Sequence, residues 1–384
     1  MFSSFDERMM QRAIELAALG RHTTAPNPCV GCLVTQGDHV VGEGWHRKWG
    51  EPHAEPLALQ AAGANARGAT VYVTLEPHSY QGRTAPCTDA LIAAGVRRVV
   101  IGVLDANPKV CGDGVRQLQA AGIDVQVGLL ADAARELNLG FEKRMVTGRP
   151  RLIVKSATSL DGRIALANGE SKWITGAAAR ADVQQLRSRM SAVLTGVDTV
   201  LADDPRLNVR DPSIDMLDRQ PLRVVLDSKL RMPPAAAMLK LPGATLVITG
   251  AADQASGEAT LPSAKTASAA DRLRRAGAEV IAGELDDSGR IDLEFVLREL
   301  GRRMCNDVLV EAGPTLVGRI LQLGLADELI AYVAPVLLGP DARPMAAVPL
   351  LQTLDHAQRY TMHAVDRLGD DVRLILRRPV LTSH

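Results

Sequence analysis

LEPHSYQGRTAPC, residues 75–87, decides how this chain is read, together with GEPHAE at residues 50–55 just upstream. Cys87 follows Pro86 and His53 follows Pro52, and proline suits the start of a helix. Both side chains therefore stand at predicted helix N-termini, where partial positive charge favours the thiolate that binds metal. Imidazole and thiolate are both good zinc ligands, so His53, His78 and Cys87 form a chemically competent set. Glu55, two residues beyond His53, is placed to face the open metal position without being a ligand. From there it can move protons for a bound water whose pKa zinc lowers to ~7.

Working outward, the first 146 residues alternate helical and strand patterns. Residues 5–19 read as a helix stopped at Gly20, 30–35 and 39–44 as strands across a short turn, and about 54–62 as a helix ended by Gly63. A strand at 69–75, a helix at 87–94 ended by Gly95, a strand at 97–104, a helix near 114–121 and a strand at 123–130 follow. This alternation predicts a layered α/β domain with parallel strand pairs. TGRPR, 147–151, breaks the pattern and marks a boundary, giving one domain at 1–146 and a second at 147–384. In the second, 151–157, 191–196, 222–227, 244–249 and 307–313 read as buried strands, with helices such as 177–190 and 292–303 between them. RYTMHAVDRLGDDVRLILRRPV, 359–380, reads as two long strands around a Gly-Asp-Asp turn, and 251–270 as a loose surface segment. There is no internal repeat and no G-x-G-x-x-G, so the halves read as different domains and a Rossmann site has little support.

Bulk properties narrow the function classes. A chain of 384 residues exceeds what one hydrophobic core usually holds. Its formal net charge is zero and only 3% of its residues are aromatic, which argues against a nucleic-acid partner. Five cysteines, an odd and sparse set, point to a reducing compartment rather than a disulfide framework. Cys29 and Cys32 lack a partner CxxC and lie in an apolar strand, so they read as core or cleft-wall thiols rather than ligands. The N-terminal segment is amphipathic without the apolar core of a signal peptide, and no apolar run approaches the roughly 20 residues that span a bilayer. A cytoplasmic enzyme without a membrane partner is the expected class.

A lone His-Ala-Glu is common; the joint pattern is not. His-x-Glu followed by a Pro-Cys half is the zinc nucleobase deaminase signature. Its longer gap here, with EPHAE, LEP and GRT-x-PC, resembles the pyrimidine deaminase domain of riboflavin biosynthesis, as do TTAPNPCVGC at 23–32 and LDANP at 104–108. That family's loop typically reads PCSHxGRTPPC, so His78, Tyr80 and Ala85 are departures from it. KSATSLDGRIA (155–165), GESKWIT (169–175), TGVDTVLADDPRLNVR (195–210) and EAGPTLVGRILQLGLADEL (311–329) resemble the reductase domain of the same pathway.

The resemblance implies an N-terminal cytidine-deaminase-like three-layer domain and a C-terminal dihydrofolate-reductase-like domain. It further implies zinc on His53, His78 and Cys87, with Glu55 as proton carrier and Asn27 at the substrate. In the reductase it implies that Ala157, Trp173, Thr199, Asp203, Ser228, Gly313, Pro314, Thr315 and Gly318 line an NADPH site, with Asp203 also aiding proton delivery. Lys155, Ser171, Arg187, Leu207, Arg210 and Glu311 would surround the substrate, a pyrimidine nucleotide whose phosphate suits arginine. The implied activity is hydrolytic deamination of 2,5-diamino-6-ribosylamino-4(3H)-pyrimidinone 5′-phosphate followed by NADPH reduction of ribosyl to ribityl, in a homo-oligomer. Two alternatives stay open: a reductase whose deaminase domain is impaired by His78 in place of the usual cysteine, and a nucleic-acid deaminase.

Overall fold

The computed structural model describes residues 2–82, 85–108, 110–250 and 268–379. Arg83 and Thr84 of the GRT motif, and 251–267 of the expected surface segment, lie outside the described residues. The chain divides into two compact units, Met1–Pro150 with Met304–Asn306 and Arg151–Arg303 with Asp307–His384.

In chain order the first unit comprises α1 (Ser4–Ala18), β1 (Gly31–Gln36), β2 (His39–Trp45), α2 (Ala54–Ala62), β3 (Thr70–Leu75), α3 (Cys87–Ala94), β4 (Arg98–Val103), α4 (Asp113–Ala120), β5 (Asp124–Val127), α5 (Ala131–Glu136) and α6 (Leu139–Thr147). Its five-stranded sheet runs β2-β1-β3-β4-β5, antiparallel among the first three strands and parallel from β3 to β5. Strand alternation splits the core into two faces. Cys32, Val34, Val71, Val73, Val99 and Ile101 pack with Ala54 and Ala58 of α2, Leu91 of α3 and Leu118 of α4. Leu33, Tyr72 and Val100, one residue out of phase, pack with Met10, Ala13 and Ile14 of α1 and Ala134 of α5. The result is three layers, helices on both faces of one sheet.

Two devices fix the layers. Ser3 and Asp6 form a capping box at the start of α1, and Asp6 also accepts from Tyr72 Oη and Arg98 Nη1, both at 2.7 Å. Burial would raise the Asp6 carboxyl, but Arg98, Ser3 and Tyr72 hold it well below the usual carboxylate range. On the other face, a Cβ at Gly44 would fall 2.5 Å from the Ala54 carbonyl oxygen, so only glycine lets β2 approach the start of α2 this closely.

The second unit comprises β6 (Arg151–Ser159), β7 (Arg163–Ala165), α7 (Ala177–Ser188), β8 (Ala192–Gly196), α8 (Val197–Asp203), β9 (Leu222–Leu226), β10 (Thr245–Thr249), α9 (Ala269–Arg275), β11 (Ala278–Ala282), α10 (Leu293–Arg302), β12 (Asp307–Val310), α11 (Pro314–Gln322), β13 (Glu328–Ala334), β14 (Arg343–Pro344), β15 (Thr361–Leu368) and β16 (Asp371–Arg377). Its main sheet runs β11-β10-β9-β8-β12-β6-β13-β16-β15. Pairing is parallel from β11 to β13 and antiparallel at the closing hairpin. The parallel strands are continuous apolar runs such as Val308, Leu309 and Val310, which suits a sheet covered on both faces. No helix among the described residues is long and apolar enough to cross a membrane.

The expected elements are found with ends shifted by a few residues. The strand expected at 123–130 is confined to Asp124–Val127. Ser268, expected in the loose segment, instead caps α9 through a capping box with Asp271. Strand β13 carries no turn signal of its own in the sequence, yet it pairs with both β6 and β16.

Candidate active sites

In the first unit three elements deliver the zinc-type donors. His53 is the N-cap residue of α2, with extended backbone at φ −73° and ψ 174°. Cys87 is the first residue of α3, behind Pro86 as its N-cap. His78 sits in the loop after β3, and its carbonyl accepts the N–H groups of Cys87 (3.0 Å) and Thr88 (3.3 Å), tying that loop to the start of α3. His78 Nδ1 lies 3.1 Å from Cys87 Sγ, and Cys87 Sγ lies 3.4 Å from His53 Nδ1. All three donor atoms fall within 4.8 Å of one another.

Glu55, in the first turn of α2, is buried, and its Oε2 has no hydrogen-bond partner. Burial pushes its carboxyl up to about 7, while its own backbone N–H and Cys87 oppose the rise. Burial, with Glu55 adding to it, raises the Cys87 thiol far above its ordinary value. Burial and then the neighbouring His78 and His46 lower His53 to about 4, so it is a neutral donor at neutral pH. Two imidazoles and one buried sulfur form a donor set that fits zinc, with the partnerless Glu55 oxygen beside it.

These residues open into a cleft of about 340 Å³ whose lining includes Asn27, Trp49, Tyr80, Asp105, Asn107 and Phe141. Three contributors escaped the sequence reading. His46, fully buried, places Nδ1 3.1 Å from the Pro52 carbonyl and Nε2 3.1 Å from Asn27 Nδ2. A carbonyl only accepts, so Nδ1 donates and, in the neutral ring, Nε2 accepts from Asn27. Glu76 accepts from the backbone N–H groups of Asp105 (3.2 Å), Gly112 (2.9 Å) and Val115 (3.2 Å), which staples the His78 loop to the segment after β4. Asp105 is buried in the same wall, and burial pushes its carboxyl up to about 6. The motifs LEP and LDANP carried the signal for the last two; nothing local marked His46.

In the second unit a cleft of about 430 Å³ gathers Ser171, Thr199, Asp203, Ser228, Gly313, Pro314 and Thr315. Gly313 is the N-cap of α11 with Pro314 behind it, and its N–H donates to Thr199 Oγ1 at 3.2 Å, joining the starts of two βα connections. Arg231, Arg290, Arg319 and Arg343 also line this cleft, and the sequence reading had not singled them out. Arg231 pairs with Asp198 at 2.7 Å and Arg319 with Asp286.

Glu311, two residues before the Gly313 N-cap, receives Arg187 Nε at 2.5 Å and Nη2 at 2.9 Å, with Lys155 Nζ at 3.7 Å. Burial alone would raise the Glu311 carboxyl, but Arg187, then Lys155 and Arg210, hold it down at about 2. Burial lowers Lys155, against the pull of Glu311. Arg187 also donates from Nη1 to the Asn208 carbonyl at 3.3 Å, so its fork is committed, whereas the Arg210 side chain is exposed. Leu207 is buried with φ +49°. Ala157 lies half-buried on β6 opposite Tyr332 of β13. Trp173 is exposed, with the Arg180 guanidinium 4.7 Å from its ring centroid. Gly318 sits inside α11, where a Cβ would collide with the Ala347 carbonyl, so its place is set by packing. Lys155, Ala157, Trp173, Arg187, Leu207, Arg210, Glu311 and Gly318 are not among the residues lining the cleft.

The fold and these two sites define an enzyme that couples a zinc-type nucleobase deaminase unit to a dihydrofolate-reductase-like unit. Residues 3–103 match the cytidine and deoxycytidylate deaminase zinc-binding region, and residues 150–373 match the RibD C-terminal domain. The chain is 46% identical to riboflavin biosynthesis protein RibD of Escherichia coli (strain K12) over 97% of its length and 99% of that protein. Among solved structures, Acinetobacter baumannii RibD (form 1) is 44% identical with a TM-score of 0.88, covering 98% of this chain and 99% of that one. A Thermotoga maritima diaminohydroxyphosphoribosylaminopyrimidine deaminase/5-amino-6-(5-phosphoribosylamino)uracil reductase is 32% identical with a TM-score of 0.83, again over 98% of this chain and 99% of that one. The chain belongs to the RibD family of bifunctional riboflavin biosynthesis enzymes, with hydrolase and oxidoreductase activities.

Proposed function

We propose that the first unit removes the 2-amino group of 2,5-diamino-6-ribosylamino-4(3H)-pyrimidinone 5′-phosphate by hydrolysis, and that the second reduces the ribosyl group to ribityl with NADPH. The observation that carries the first assignment is the convergence of His53, His78 and Cys87 beside the buried, partnerless Glu55 oxygen. Zinc held by those three ligands would acidify a water at the cleft floor. Glu55 is suited to the proton traffic because its carboxyl is buried beside the three ligands with one oxygen unpartnered. It takes the proton of the attacking water and delivers it to the amino group, which leaves as ammonia. Asn27, with its amide held by His46, borders the pyrimidine.

In the second unit the first turn of α11, where Thr315 and Leu316 line the cleft, would offer backbone N–H groups to a pyrophosphate, and the arginines of the cleft favour the extra phosphate of NADPH over NADH. NADPH supplies the hydride when bound. Asp203 faces the same cleft, where it can hold the proton that accompanies reduction. The exposed Arg210 takes the substrate phosphate, while Arg187, clamped by Glu311, keeps that corner positive and rigid.

Ammonia release and NADPH oxidation, measured on one preparation of known zinc content, test the assignment. Both activities with about one zinc per chain are expected. NADPH oxidation of the deaminated substrate without ammonia release from its precursor would instead assign a reductase whose deaminase unit is impaired.

A further inference from the structure

We propose that His78 makes the metal centre a single-thiolate site that peroxide cannot empty by forming a disulfide. The inference rests on reading His53, His78 and Cys87 as the zinc ligands. The general deaminase signature puts two or three cysteines on the metal. Thiolates bound at ~2.3 Å to one tetrahedral ion have their sulfurs only about 3.8 Å apart, so a modest movement joins them as a disulfide. Two thiolates and one hydrogen peroxide, with two protons, then give a disulfide and two waters. The sulfurs lose two electrons, the peroxide O–O bond breaks, and the metal forfeits two ligands at once.

This chain lacks that exit. Cys87 Sγ has imidazole nitrogens as its partners in the donor set, at 3.1 and 3.4 Å, and neither can form a sulfur–sulfur bond. All five cysteines are free thiols. Cys32 of β1, an uncharged thiol in the neighbouring core, is fully enclosed with Val34, Ala54, Val73 and Leu91. The remaining oxidation adds one oxygen: the Cys87 thiolate attacks peroxide, giving sulfenic acid and hydroxide. That step needs peroxide to reach a residue only 1% exposed, and the cleft is lined by His53, Glu55 and His78 rather than by Cys87.

The test compares zinc-loaded full-length wild type with His78→Cys under hydrogen peroxide. Zinc release is followed with a chromogenic chelator, and disulfides by mass spectrometry after alkylation. The variant should release zinc at least roughly tenfold faster, with the introduced thiol joined to Cys87. Wild type should keep its zinc over the same interval, and Cys87 should still alkylate once the metal is stripped. Equal release rates, or a Cys32–Cys87 disulfide in wild type, overturn the proposal while leaving the ligand assignment standing. If His78→Cys does not fold, wild type alone decides: retained zinc with an alkylatable Cys87 supports the proposal, and zinc loss with a disulfide overturns it. A wild type that takes up no zinc overturns the ligand assignment and the proposal with it.

Discussion

The two candidate sites are assembled in opposite ways. The metal-type site draws its donors from residues 53–87, on two helix starts and one loop, and main-chain hydrogen bonds hold them in place. The reductase corner is assembled across the sheet, where Glu311 meets Arg187 over 124 residues of sequence and the geometry depends on balancing buried charges. The first should therefore fail chemically when a side chain is changed, with its fold intact. The second should fail structurally, because removing one charge strands the others.

The largest expected effect is Glu55→Gln. Ammonia release should fall by about 10²–10⁴-fold, the span of a lost acid–base group, while NADPH oxidation on the deaminated substrate stays unchanged. Parallel loss of both activities would mean that the sites are not separable in this way. Next is Glu311→Ala, which leaves Arg187 and Lys155 buried without their shared acid. Breaking such a cluster costs about 3–5 kcal/mol, to be read as a lower denaturant midpoint for the second unit with ammonia release retained.

The pH dependence sharpens the same contrast. Glu311 is held at about 2, below its ordinary value of 4.5, so it binds fewer protons folded than unfolded. Its contribution is complete above about pH 4.5 and is lost as pH falls toward 2. Thermal scans across that window should show the second unit weakening, and Glu311→Gln should lose that part of the slope. The smallest effect is Thr199→Val, which removes the acceptor of the Gly313 N–H. It should cost about 0.5–1.5 kcal/mol and weaken NADPH binding without touching ammonia release.

What could be read from the sequence follows the same division. His53, Glu55 and Cys87 were legible because proline and helix-start chemistry are local, and both helices begin where those signals put them. The alternating apolar pattern was enough to give a layered α/β first unit with parallel strand pairs, while its three layers were implied by the resemblance. Strand β13 was not legible, because ELIAYVA follows the preceding helix with no breaker except Gly324 and reads as its continuation. Helices α5 and α6 were missed for a different reason, since at 6 and 9 residues they are too short to show a clear period. At the sites, the partners of Glu76 lie 29 to 39 residues away, so its stapling role needed coordinates. The four arginines of the reductase cleft come from separate connections, and in sequence each looks like ordinary surface charge. His46 looked like one more polar residue at a strand end until the Pro52 carbonyl fixed which nitrogen donates.

The central claim is that His78 serves as a metal ligand in a site with two imidazoles and one thiolate. Zinc-edge X-ray absorption on the metal-loaded full-length protein measures this directly. The expected result is a first shell with one sulfur at about 2.3 Å and imidazole nitrogens at about 2.0–2.1 Å, changing to two sulfurs in His78→Cys. A wild-type shell with no sulfur, with two sulfurs, or with the same scattering in His78→Ala would contradict it.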